Sequence, residues 1–265
     1  MRLARSPTSA ARACATIPDA PAAGRAAGVN AIIHIERGGH MAGIPGGQAG
    51  VAARPTIVFD YDGTLADTSP AIMRVARQVL SAYGMTDEQM GDLRRLIGPP
   101  FPLGYTMVYG IPPKDAERLT ARYREIFSTL GVEDYPLFGG MRALLERLRD
   151  EGRHLAVASS KRDDLVRRML AEQGVLGLFD AVRGADDHAS ADKTAQIQRC
   201  LAAMGASPDD AVMVGDRCYD AQAARRAGMP CVGVLYGGTA ERAELVEAGV
   251  IAIATTVGEL ADVLG

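Results

Sequence analysis

The sequence reads as an α/β protein: a doubly wound parallel sheet with an inserted α-helical cap. Three observations predict this. From Thr56 onward, short apolar and β-branched runs alternate with helical patterns. Those helices stop at glycines, as at Gly152, Gly174 and Gly205. The interval from Thr68 to Tyr135 carries helical patterns only.

The chain begins differently. Residues 1–54 are rich in Ala, Gly, Pro and Arg, and only Asp19 and Glu36 are acidic. They show little hydrophobic periodicity, which predicts disorder. Such a composition superficially suits an organelle transit peptide. A misassigned start is the preferred expectation, because Glu36-Arg37-Gly38-Gly39 could be encoded by a ribosome-binding site just before Met41.

Strands are expected at 56–60, 154–159, 180–183, 211–215, 231–235 and 250–254. Between them, apolar residues recur at three- and four-residue spacing. Leu144, Leu145 and Leu148 mark one helix, Leu165, Val166, Met169 and Leu170 the next, and Ile197, Cys200, Leu201 and Met204 a third. Strand–helix alternation of this kind implies a parallel sheet covered on both faces.

The insertion opens at Thr68/Ser69 with Pro70, followed by Ile72, Val75, Val79, Leu80 and Tyr83, and Gly84 ends that helix. Thr86 and Gln89 have the spacing of a capping box. Pro113 starts a third helix, with Ala116, Leu119, Tyr123, Ile126, Phe127 and Leu130 on one face. The expected division is a leader at 1–54, a core of 55–67 and 137–265, and a helical cap at 68–136.

Composition narrows the function. A chain of 265 residues with 48% hydrophobic and 23% charged residues is long enough for a sizeable core. A net charge of −3 argues against nucleic acid as the main partner. No run reaches the length of a membrane span. Cys14, Cys200, Cys218 and Cys231 lack metal-ligand spacing and read as reduced cysteines of a cytoplasmic protein. There are 26 arginines but three lysines, Lys114, Lys161 and Lys193. A lysine kept against that bias points to a need for a compact ammonium.

The chemistry is concentrated at strand ends, where open parallel sheets bind ligands. The run Thr56–Phe59 leads into Asp60, Tyr61, Asp62, Gly63 and Thr64. Two carboxylates beside a turn glycine with backbone amides suit phosphoryl transfer through an aspartyl-phosphate. An ordinary acidic β-turn would show the same short pattern. The second strand ends in Ser159-Ser160-Lys161, where a hydroxyl could hold a phosphate oxygen or cap a helix over 161–173. Lys193 opens a helix, although the macrodipole disfavours a cation there. Val212-Met213-Val214-Gly215-Asp216 repeats the first design, and Asp220 follows.

Together these residues resemble the four motifs of the haloacid dehalogenase (HAD) superfamily, in order, over about 56–265. The resemblance implies that Asp60 is the nucleophile and Asp62 the general acid/base. It implies phosphate binding by Gly63, Thr64, Ser159, Ser160 and Lys193, with the Gly63 and Thr64 amides contributing. It implies a Mg²⁺ cofactor held by Asp60, the backbone carbonyl of Asp62, and Asp216, with Asp220 acting through water or from behind. Within the superfamily, Ile97-Gly98-Pro99-Pro100 and the segment 216–245, including Val234-Leu235-Tyr236-Gly237, resemble the phosphoglycolate-phosphatase-like branch. Some members of that branch carry the name 5′-nucleotidase. Ser190 departs from the pattern, since a basic residue is expected shortly before the lysine.

The implied activity is Mg²⁺-dependent hydrolysis of a small phosphomonoester, of phosphoglycolate or nucleoside 5′-monophosphate type, by a monomer or small homo-oligomer. The rivals are a phosphosugar mutase of the β-phosphoglucomutase type and a non-catalytic metabolite-binding regulator. A dehalogenase would need neither Asp62 nor Asp216. A phosphonate hydrolase would need a Schiff-base lysine in the cap, where only Lys114 is present.

Overall fold

The computed structural model describes residues 48–185 and 193–265. The expectations for 1–47 and for Ser190 lie outside the described residues. Six strands are present: β1 (Thr56–Phe59), β2 (His154–Arg162), β3 (Ala181–Ala185), β4 (Ala211–Gly215), β5 (Cys231–Val234) and β6 (Ala252–Ala254). They form one sheet of order β3-β2-β1-β4-β5-β6. Every pairing is parallel. Phe59 is in register with Val157 on one side and Val214 on the other, so three central strands deliver their C-terminal ends to one edge.

Successive strand residues point to opposite faces. Ile57, Phe59, Val157, Val212 and Val214 join one buried cluster, while Val58, Ala156, Ala158 and Met213 join another. This double burial explains the continuous apolar runs.

A short helix, α1 (Gln48–Ala52), precedes β1. The leader boundary at 54 is therefore corrected. Val51 is 1% exposed. Arg153 donates to the carbonyls of Ala52 (2.5 Å) and Leu264 (2.7 Å), and Arg54 to that of Ala211 (3.0 Å). Five helical residues are too few to display a period, so the sequence pattern does not reveal them.

Between β1 and β2 the chain is helical: α2 (Ser69–Ala82), α3 (Asp87–Met90), α4 (Leu103–Tyr109) and α5 (Pro113–Phe127), with 3₁₀ turns at Leu93–Leu96 and Val132–Asp134. The capping box forms: the Gln89 amide donates to Thr86 Oγ1 (3.3 Å) and the Thr86 amide to Gln89 Oε1 (2.9 Å). It caps one turn only. The sequence pattern missed α4, whose seven residues again span too little for periodicity. The chain leaves and re-enters the core side by side. The Asp67 amide donates to the Pro136 carbonyl (2.8 Å) and the Phe138 amide to that of Leu65 (3.1 Å).

The remaining helices cover the sheet. They are α6 (Met141–Asp150), α7 (Asp163–Glu172), α8 (Lys193–Met204), α9 (Cys218–Ala227), α10 (Arg242–Ala248) and α11 (Val257–Leu264). Leu145, Met169 and Leu260 pack on the first face, and Ile197, Ala224 and Leu245 on the second. The expected helix over 161–173 begins at Asp163 instead, because β2 runs on past a register shift between Ala158 and Arg162. Among the described residues no helix is long and apolar enough to cross a membrane. Cys200 and Cys231 are free buried thiols.

Candidate active site

The C-terminal edge of the sheet gathers the polar residues of all four motifs. Asp60 follows β1 directly, and its amide donates to the Val214 carbonyl (2.9 Å). The chain must then turn sharply. Gly63 has a φ of +73°, and a Cβ there would lie 2.3 Å from Asp216 Oδ2. Glycine thus lets the first loop pass against the fourth motif. The Gly63 amide closes this turn onto the Ala66 carbonyl (3.0 Å), and the Thr64 amide reaches that of Tyr61 (3.4 Å). Both amides are engaged within the turn. The amides of Tyr61 and Asp62 have no hydrogen-bond partner among the described residues.

Asp60, Asp216 and Asp220 form one buried carboxylate cluster, with oxygens within 4.8 Å of one another. Lys193 enters it from the start of α8, 2.8 Å from Asp60 Oδ2 and 2.5 Å from Asp220 Oδ1. Asp220 Oδ2 accepts the Arg217 amide (3.0 Å), so both of its oxygens are occupied. Gly215 admits this carboxylate, since a Cβ there would meet the Asp220 carboxyl carbon at 2.3 Å. Asp220 therefore holds Lys193 in place. Asp216 accepts from Thr64 Oγ1 (3.4 Å) and from Thr239.

Two of the three carboxylates, Asp60 and Asp220, share one ammonium here. Burial, partly offset by Lys193 and reinforced by Asp220 and Asp62, pushes Asp60 up to about 7. Burial, then Asp220 and Asp60, holds Asp216 well above the usual carboxylate range. Burial acts against the Lys193 charge, but Asp220 and Asp60 outweigh it and raise its pKa. Asp60 Oδ1 is buried without a hydrogen-bond partner. An orphaned oxygen in an all-oxygen acidic cluster fits a hard divalent cation such as Mg²⁺.

Asp62 stands apart from the cluster. Its Oδ1 lies 3.1 Å from Lys161 Nζ. That ammonium is also 4.3 Å from the centroid of the Phe127 ring on α5. Ser159 and Ser160 line the same pocket, and Ser159 Oγ accepts the Lys161 amide (3.2 Å). The continuation of β2 is what carries Lys161 forward to Asp62.

The pocket between the sheet edge and the helical insertion measures about 670 Å³, mouth included. Asp60, Asp62 and Lys193 lie on one side; Ile97, Phe101, Tyr123 and Phe127 lie on the other. Sequence reasoning assigned no role to Lys161, although the scarcity of lysine had marked it. It also missed Thr239, and Arg217, whose guanidinium ties Glu244 (2.8 Å) to the Ile97 carbonyl. No local pattern announces these contacts, which join distant segments. Val234-Leu235-Tyr236-Gly237 serves the structure of the site, because Tyr236 donates to the Thr64 carbonyl (2.8 Å) and steadies the first loop.

Fold and site together define a hydrolase whose acidic and cationic groups converge at the C-terminal edge of a parallel sheet. The family model described as "Haloacid dehalogenase-like hydrolase" matches residues 57–234, and the chain belongs to that family. A 5′-nucleotidase from Pseudomonas aeruginosa is 33% identical over 184 residues, covering 69% of this chain and 83% of the relative. Tyrosine-protein kinase PtkA from Mycobacterium tuberculosis is 34% identical, covering 79% and 72%. A phosphoglycolate phosphatase from Caulobacter vibrioides is 30% identical, covering 74% and 85%. Among solved structures, a predicted phosphatase from Clostridium acetobutylicum superposes with a TM-score of 0.74 at 31% identity, covering 78% and 96%. The chain is a phosphatase of the phosphoglycolate-phosphatase-like branch.

Proposed function

We propose that the enzyme hydrolyses small phosphomonoesters, of the phosphoglycolate or nucleoside 5′-monophosphate type, with Mg²⁺ and through an aspartyl-phosphate. The observation that carries this is the pairing of two unlike carboxylates at one pocket. Asp60 is buried with one oxygen on Lys193 and the other unpartnered, while Asp62, two residues on, is held by Lys161.

In this reading Asp60 attacks phosphorus in line with the departing oxygen. Asp62 donates a proton to that oxygen and then takes one from the water that cleaves the aspartyl-phosphate. Lys193, Ser159, Ser160 and the Tyr61 and Asp62 amides face the non-bridging oxygens. Asp60, Asp216 and the Asp62 carbonyl would hold Mg²⁺, which supplies charge neutralisation between the nucleophile and the phosphoryl group. The helical segment 68–136 acts as a cap that excludes bulk water when closed.

The names of the relatives differ in substrate, so they support the chemistry and leave the leaving group open. A mutase is the weaker reading, because the cap side of the pocket is nearly apolar and offers little to hold a reorienting sugar bisphosphate. The test is phosphate release from a panel of phosphorylated metabolites with and without Mg²⁺. Release that needs Mg²⁺ supports the proposal. Interconversion of hexose phosphates outrunning release, read by phosphorus NMR, rejects it.

A further inference from the structure

The leaving-group side of the pocket is built of rings. Phe101 stacks on Tyr105 with centroids 4.7 Å apart and 22° between planes. Its ring leans on Tyr123 at 4.8 Å, and Tyr123 stacks on Phe127 at 5.5 Å and 26°. The Phe127 end of this series is anchored at the acid/base through Lys161, which touches both the ring and Asp62. Phe101, Tyr123 and Phe127 all line the pocket.

Their location has a chemical meaning, which rests on the phosphatase reading above. Asp62 must reach the bridging oxygen of the ester. The group attached to that oxygen then lies beyond Asp62, on the side away from Asp60. That is where the aromatic wall starts.

The composition of the wall selects among leaving groups. From the insertion, the only polar side-chain groups lining the pocket are the Tyr123 hydroxyl and the Arg124 guanidinium. The hydroxyls of a sugar closed in against the remaining lining, Ile72, Leu96, Ile97, Pro99, Phe101 and Phe127, would lose water without gaining partners. A planar ring gains by stacking on aromatic side chains, and a guanidinium plane accepts a ring face as well.

We propose that Phe101 and Tyr123, backed by Phe127, form an aromatic subsite that selects phosphomonoesters whose leaving group carries a planar aromatic ring. A nucleobase and a simple aryl group share this chemistry.

Matched substrates test it without a confounding change in leaving-group reactivity. AMP and CMP are compared with ribose 5-phosphate, which has the same ester bond and no base. Then 2-phenylethyl phosphate is compared with n-butyl phosphate, since both release primary alkoxides. With Mg²⁺ present, kcat/KM favours the ring-bearing member of at least one pair by about tenfold or more, as one stacking contact warrants. Preference in the nucleotide pair alone assigns the subsite to nucleobases; preference in both assigns it to the ring itself. In Phe101→Leu and Tyr123→Leu the preference falls at least about threefold as stacking is lost. Ratios near one in both pairs for the wild-type enzyme overturn the subsite, as do undiminished ratios in both variants. Phosphoglycolate outrunning every aromatic ester also overturns it. Each of those outcomes leaves the phosphatase reading standing. Absence of release from every ester, p-nitrophenyl phosphate included, removes the phosphatase reading and the subsite with it.

Discussion

Lys161 Nζ lies 3.1 Å from Asp62 Oδ1, and its side chain is only 8% exposed. With the Phe127 ring on its other side, the ammonium is a fixed strut between α5 and Asp62, the proposed acid/base. Lys161→Met should therefore let Asp62 swing away from the leaving oxygen. Turnover of alkyl phosphomonoesters falls by about ten- to a hundredfold, a part of what general acid catalysis contributes. p-Nitrophenyl phosphate, whose leaving group departs without a proton, loses far less. Comparing kcat for the two ester types decides the point; an equal loss for both would show that Lys161 merely supports the fold.

Asp60→Asn removes the attacking oxygen and keeps the shape of the side chain. Turnover drops by roughly three orders of magnitude or more, as removal of a nucleophile does elsewhere. The circular dichroism spectrum and melting temperature stay close to wild type, because Lys193 retains Asp220 as a partner. Activity within tenfold of wild type in a carefully purified sample would sink the assignment.

The acidic cluster makes stability depend on pH in an unusual direction. Asp60 is raised from 3.8 to about 7, and Asp216 is raised as well. The metal-free folded protein keeps protons on these groups that the unfolded chain has already released. Their contribution to stability is thus present below about pH 4 and lost as pH rises through about 7. A divalent cation competes with those protons, so its binding strengthens over the same window. The rise in melting temperature caused by Mg²⁺ should grow from pH 5.5 to pH 8. A rise that is independent of pH would place the metal elsewhere.

Truncation separates the two parts of the leader. A chain beginning at Met41 retains activity and melting temperature, since residues 1–40 carry few patterned apolar residues. A chain beginning at Pro55 loses the burial of Val51, the Ala52 carbonyl that accepts from Arg153, and Arg54 itself, which donates to the Ala211 carbonyl. The cost is about 2–4 kcal/mol, from one buried side chain and the unpaired groups it leaves. Urea unfolding of the two chains measures the difference.

The sequence by itself determined what repeats or follows a local rule. Alternating apolar runs and glycine stops disclosed the parallel sheet, because burial on both faces demands continuous apolar strands. Asp60, Asp62 and the Gly215-Asp216 pair were legible because a carboxylate after an apolar strand, beside a glycine, is a local pattern. Lys193 was legible because lysine is scarce here. Tertiary structure alone decided which partner each group meets. Asp62 turns to Lys161, and Asp216 to Thr239, across long stretches of chain. The Gly63 amide is taken by Ala66, while the Tyr61 and Asp62 amides have no partner among the described residues. The helices α1 and α4 were invisible for the same reason in miniature: too short to show a period, they are stabilised by contacts with distant residues, and contact with distant residues is what a linear pattern does not record.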